Sequence, residues 1–438
     1  MCPAVRVAAV LTLLTATALS AADDVATTHI RAHVTFLADD LLEGRGTGTR
    51  GHELAARYVA SQFVRLGVEP AADGGMYEQP VKLIESVSNY AAGRLMVRAG
   101  DKEDALTPVN DMMVTLAPGK TADTITAPAI FVGFGIQAPD LQHDDFAGAD
   151  LHGKIAVMLS GAPKRFPSEQ RAHHGNTDQK RALLVKHGAI GVVTIITPWD
   201  EVRRPWAMTV ALSRFPTMRL VDDEGGLVNG FPQLRALGSV ANAAAGRILI
   251  GAPKSLSEIF ATAERGEPQN FPLGVTITLA GEASIRRAES LNVLGRLSGT
   301  DPALAGQPLV ITGHLDHLGI GTAVNGDTIY NGAVDNALGI GVLLQVAEEL
   351  AHGPRLRRPV LFAAVTGEEK GLLGSHRLAT HPPAWVHRCI ASLNIDMPLL
   401  SAPARDLIAY GYRNSTLGAV LDKVAARHGL VVSPDPAP

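Results

Sequence analysis

The sequence predicts an α/β fold, a mainly parallel sheet covered by helices on both faces, with a β-rich domain inserted into it. Two observations carry this. After Leu291 the pattern alternates strand, loop, helix and strand, the order that builds parallel sheets, and the strand-like runs are near-continuously apolar, as burial from both sides requires. Between roughly 87 and 284, short β-rich runs are separated by Gly, Pro and Asp, the texture of a unit with its own core.

In chain order, residues 1–22 hold one arginine, Arg6, then an apolar run, then Ser20-Ala21-Ala22, which is the order of a secretory signal peptide. That run is too short for a comfortable membrane span, and no later one reaches about eighteen apolar residues. A secreted or periplasmic mature chain is expected. Residues 23–86 read as the first part of the main domain. Apolar positions recur at helical spacing over 28–42, a glycine-rich turn follows over 43–51, and 52–66 is helical again with Leu54, Ala55, Tyr58, Val59 and Phe63 on one face. The turn contains Gly46-Thr47-Gly48-Thr49-Arg50-Gly51, which fits G-x-G-x-x-G letter for letter. A helix rather than a strand precedes it, so no dinucleotide site is expected there.

The insert, 87–284, offers strands near 129–136, 154–159 and 189–197 and a single helix at 180–187. His173-His174 reads as a solvated loop, because adjacent imidazoles point apart and no ligand spacing supports them. The last part, 285–438, offers strands at 309–312, 359–365 and 389–395 with helices at 336–351 and 371–379. The 416 residues beyond the expected signal suit two or three domains. Only Cys389 lies beyond the signal, so no intrachain disulfide is expected in the mature chain. A net charge of −4 with interspersed signs gives no polybasic footprint, which argues against nucleic acid and anionic membranes as partners.

Chemistry concentrates in the last third. His314-Leu315-Asp316 follows one strand, Glu368-Glu369 a second and Asp396 a third, while Asp335-Asn336 opens a helix. In open α/β sheets ligands bind beyond the carboxyl ends of strands, where all of these lie. Singly, each has a bland reading as an N-cap or a dipole-compensating carboxylate. Together they suit two divalent cations roughly 3.5–4 Å apart, which need a bridging carboxylate and further N and O ligands. Asp335 is the expected bridge, His314 and Asp396 complete the first ion, and Glu369 binds the second. Glu368, facing away from its neighbour, is the expected general base toward a water that the ions acidify. Asp316 is placed to fix the tautomer of His314.

The set Gly313-His314-Leu315-Asp316, Asn331 to Asn336, Gly367-Glu368-Glu369 and Asn394-Ile395-Asp396 resembles the co-catalytic zinc aminopeptidases of metallopeptidase family twenty-eight. The stretch 37–51 resembles the lead-in of secreted bacterial members. Gly133-Phe134-Gly135 and Gly153-Lys154-Ile155 resemble a protease-associated domain. The resemblance implies a three-layer α/β/α peptidase domain interrupted by that insert, two zinc ions (Zn2+), peptide or protein substrates, and removal of N-terminal residues. Family members carry a further histidine ligand well after the last aspartate. Here only His428 follows Asp396, in a run that reads as the end of a helix. A chain truncated before that ligand, with a weakened second ion and doubtful activity, is therefore expected. The alternatives are a non-catalytic binding protein on the same scaffold, or a carboxypeptidase or glutaminyl cyclase relative. Neither a G-x-S-x-G elbow nor H-E-x-x-H occurs.

Overall fold

The computed structural model describes residues 25–398, 404–409 and 411–434. The expected signal segment lies outside them. Among the described residues no helix is long and apolar enough to cross a membrane.

The fold is mixed α/β around one large sheet. Its functional end is a parallel trio in which Leu309–His314 lies between Val360–Val365 and Ala391–Asn394. Every residue of Val360–Val365 is buried, and successive side chains go to opposite faces. Val360, Phe362 and Ala364 meet the core made with Leu37, Val59, Phe63, Ile340 and Leu343 from helices Val25–Leu37, Arg50–Leu66 and Leu338–His352. Leu361, Ala363 and Val365 meet Leu378 of helix Leu373–Thr380 on the other side. Two-sided burial is thus why the strand lacks polar alternation. Gly295 lets helix Arg50–Leu66 come close, since a Cβ there would sit 2.8 Å from the Phe63 ring.

A second parallel set, Ala122–Phe131, Ile155–Leu159, Gly191–Ile195 and Ala236–Val240, builds the core of the insert. One 27-residue strand, Phe271–Leu297, joins the two sets. It pairs antiparallel with Ala122–Phe131 at one end, with Glu78–Ser88 in the middle and with Val360–Val365 at the other end. The boundaries expected at 86/87 and 284/285 fall inside Glu78–Ser88 and Phe271–Leu297, which run unbroken from one core to the other.

Other expectations change in detail. The first helix stops at Leu37, and a tight turn, Asp40–Arg45, follows because Glu43, Gly44 and Arg45 adopt left-handed backbone. At Gly44 a side chain is impossible, since a Cβ would lie 2.4 Å from the Tyr330 carbonyl oxygen. The insert is richer in helix than the single one expected. Ser168–Gly175, Thr177–Lys186, Pro198–Arg203, Trp206–Ser213 and Leu256–Glu264 are all helical. Prolines that read as loop punctuation stand instead just before or at the first turn, where a missing N–H costs nothing. His173 and His174 accordingly lie on a helix rather than in a loop.

Phe362 is fully buried, so Phe362→Ala is expected to lower unfolding stability by about 3–5 kcal/mol. Phe36, exposed and stacked on Tyr58, should cost less than about 1.5 kcal/mol when cut to alanine. Denaturant midpoints of the two variants check the ordering.

Candidate metal centre

The three parallel strands end at His314, Val365 and Asn394, and their following loops converge. His314 is buried, and its Nδ1 bonds the main-chain carbonyl of Asp316 at 3.0 Å. That bond places the proton on Nδ1 and leaves the lone pair on Nε2. Nε2 lies 3.0 Å from Asp335 Oδ1 and 3.4 Å from Asp396 Oδ1, yet it is buried with no hydrogen-bond partner. Ligand atoms held tetrahedrally at about 2.1 Å from zinc stand roughly 3.4 Å apart. A lone pair facing two carboxylate oxygens is repelled by them unless a proton or a metal cation sits between, and the spacing of the three atoms fits a metal ion.

A second group lies on the other side of Asp335. His317, Asp335 and Glu369 offer ligand atoms within 4.8 Å of one another. Nδ1 of His317 is 2.6 Å from Glu369 Oε1. His314, Asp335 and Asp396 form the other such group, so Asp335 belongs to both. The structure therefore brings together all four expected ligands and adds His317. His428, by contrast, caps helix Leu417–Arg427, is exposed and belongs to neither group. His317 was missed because strict strand alternation from His314 would turn it to the opposite face from His314. The strand in fact ends at His314, and His317 forms an isolated bridge with Gly46 that redirects it. The His-Leu-Asp-His spacing was the available signal.

Asp316 differs from expectation. Its carboxylate stands 3.9 Å from His314 Nδ1, and the imidazole is fixed by the Asp316 carbonyl instead. The carboxylate, fully buried, accepts from the Thr47 hydroxyl at 2.7 Å and from the Glu368 N–H at 3.1 Å. It thereby ties the glycine-rich turn to the loop that carries Glu368. Asn292 holds the same loop from below, accepting from Thr366 N–H and donating to the Gly374 carbonyl, each at 2.9 Å. Asp335 does not cap a helix: it lies in a non-helical turn over Ala333–Ala337 whose Asp335–Asn336 peptide is cis, and the regular helix begins at Leu338. Asn336 donates to the Ile395 carbonyl at 2.9 Å and accepts from Gly339 and Met397 N–H, which joins the Asp335 turn to the Asp396 loop.

The largest buried side chain near the site is Arg45, with no solvent exposure. Its guanidinium donates to the carbonyls of Leu315 at 2.9 Å, Asn331 at 2.7 Å, Gly332 at 2.9 Å and Leu37. Burial lowers its pKa to about 10, against the pull of Asp316, Asp335 and Glu369, so it stays charged at neutral pH.

Electrostatics in the site follow from crowded carboxylates. Burial raises the Glu368 carboxyl to about 7, with Glu369, Asp316 and Asp396 adding to the rise and His314 opposing it. Burial and the Glu369 charge raise Asp335. For Glu369 burial acts upward, but the His317 hydrogen bond and charge outweigh it and hold the carboxyl below its ordinary range. Burial alone would lower the His314 pKa, and the surrounding Asp316, Glu368, Asp396 and Asp335 reverse that. Such a set attracts positive charge.

Arg45→Met removes the donor shared by loop carbonyls and leaves them buried without partners. The expected loss is at least about 3 kcal/mol of stability, with zinc bound about 10–100-fold more weakly. Thermal unfolding and zinc titration measure the two effects. An unchanged zinc affinity would mean that the loops are positioned without it.

Comparison with known proteins locates a family in this part of the chain. Residues 292–438 match the family model described as Peptidase family M28. A curated relative, a probable zinc metalloprotease of Pyrenophora tritici-repentis, is 43% identical over 67 residues, 15% of this chain and 15% of that protein. A probable zinc metalloprotease of Pyrenophora teres f. teres is also 43% identical over 67 residues, 15% of this chain and 14% of its own length. The match thus spans about one seventh of the length of these relatives. Among solved structures, the aminopeptidase from Aneurinibacillus sp. strain AM-1 is similar in fold, with a TM-score of 0.52 and 19% identity over 93% of this chain and 79% of that one. The segment holding every candidate ligand is therefore the one that matches the peptidase M28 model, in a chain whose fold is similar to that of an aminopeptidase.

Proposed function

We propose that this chain is an exported zinc metallo-aminopeptidase that holds two ions. His314 and Asp396 would hold the first ion and His317 and Glu369 the second, with Asp335 common to both groups. The observation that carries the reading is the orphaned Nε2 of His314, buried against two carboxylate oxygens and beside Glu368. The mixed imidazole and carboxylate donors suit zinc, and the peptidase M28 match supports the same metal.

When bound, zinc supplies Lewis-acid polarisation of the scissile carbonyl and a more acidic water. The rest of the work falls to side chains. Glu368, its carboxyl near neutrality, takes a proton from the attacking water and returns it to the leaving amine. Its N–H bond to Asp316 sets where that carboxylate stands, and Asp316 in turn is fixed by Thr47. Asp335, Glu369 and Asp396 carry three negative charges, which two zinc ions would balance. Removal of N-terminal residues is favoured because the fold is similar to that of an aminopeptidase.

Zinc-loaded protein is expected to cleave peptides with a free amino terminus and to spare their N-acetylated counterparts. Glu368→Gln should lower kcat by about 10²–10⁴ while both ions stay bound. Equal cleavage of blocked peptides, or an active Glu368→Gln variant, would sink the aminopeptidase reading. His317→Ala is expected to lower bound zinc from two ions to one, read by elemental analysis. Retention of both would remove His317 from the ligand set.

A further inference from the structure

Where the insert meets the strand ends there is a cavity of about 390 Å³. Its wall carries four cationic side chains, Arg181, Arg204, Arg219 and Lys370, against one carboxylate, Glu369. Glu369 also belongs to the second metal group, so the cavity and that group share a wall.

The arginines are not balanced within the protein. Arg181, on helix Thr177–Lys186, and Arg219, on strand Thr217–Leu220, share a single carboxylate, Asp178, each at 3.4 Å. Arg219 also donates to the Met218 carbonyl at 3.2 Å. The Nε–H groups of both are buried and meet no acceptor. A guanidinium offers its donors in a planar fork that matches a carboxylate, and a buried donor without an acceptor is costly. Arg204 is exposed at the end of helix Pro198–Arg203. Lys370 stands 5.5 Å from the Phe215 ring centre, and Phe215 in turn packs edge-on to Tyr330. The insert thus closes over the residue next to Glu369 and brings its arginines to the edge of the metal group.

We propose that this cavity is a carboxylate-binding subsite, which holds a carboxylate of the peptide being cleaved and directs the enzyme to acidic peptides. The inference rests on the metallopeptidase reading and adds the substrate class. The arginines and the metal group then sit side by side, with Glu369 in the wall that they share. The acid is either an Asp or Glu side chain or the C-terminal carboxylate of a short peptide, and both meet the same fork.

The test uses the zinc-loaded full chain and dipeptide analogues whose scissile amide is replaced by a methyleneamine, so that none is cleaved. One carries a Glu side chain with an amidated terminus, one an Ala with a free terminus, and one an Ala amide with neither acid. At least one acidic analogue is expected to bind about tenfold tighter than the neutral one by calorimetry. Whichever acid gains identifies the source. Arg181→Met and Arg219→Met should reduce the gain to the neutral level. Arg204→Gln, exposed and so without consequence for folding, should weaken the acidic analogue by about two- to fivefold. Equal binding or no binding of all three analogues overturns the subsite, as does a full gain in folded Arg219→Met together with Arg204→Gln. Hydrolysis of an uncharged peptide amide with a free amino terminus is measured separately. Its absence counts against the peptidase reading, whereas its presence with equal analogue binding counts against the subsite alone.

Discussion

Arg45 meets main-chain carbonyls from three separate stretches of chain: Leu37 at the end of the first helix, Leu315 after one strand, and Asn331 with Gly332 before the next helix. A buried guanidinium with carbonyl partners locks backbone positions rather than side chains, so the loops bearing His314, His317 and Asp335 are fixed at their root. The left-handed backbone at Glu43, Gly44 and Arg45 is the conformational cost of aiming that side chain inward. Its charge also lies among Asp316, Asp335 and Glu369, where it offsets part of their mutual repulsion. The Thr47–Asp316 hydrogen bond and the Gly46–His317 bridge hold the same turn against the strand ends.

Around this anchor further buried polar contacts brace the loops. Thr47 reaches Asp316, Asp316 reaches the Glu368 backbone, Asn292 supports Thr366, and Asn336 crosses to Ile395. Each loop that carries a candidate ligand is held by a buried side chain from a different element. Such cross-bracing is what a metal site needs, because ligand atoms must stay close while their charges repel. Burial, with neighbouring carboxylates adding to it, raises the carboxyls of Glu368 and Asp335, and a nearby cation would act against that rise.

Much of this was legible in the sequence because strand ends advertise themselves. Near-continuous apolar runs gave the parallel trio, and the residues just beyond them were His314, Glu368, Glu369 and Asp396. His317 escaped because alternation holds only inside a strand, and the backbone turns once Leu309–His314 has ended. Arg45 and Thr47 escaped for another reason. Their partners lie some 270 residues away, and no local pattern encodes such contacts. The helices of the insert were hidden by prolines that punctuate a loop and open a helix equally well. Asp316 shows a finer limit: spacing placed it beside the imidazole, but only geometry distinguishes its carbonyl from its carboxylate.

The strand Phe271–Leu297 passes from one core to the other and is laddered to Glu78–Ser88 along the full 11 residues of the latter. A two-stranded ribbon of that length couples the insert to the strand ends through backbone hydrogen bonds rather than through a loop. The distance between the arginines above and the ligand loops below is then a built-in ruler. That spacing is set by the scaffold before any side chain is read.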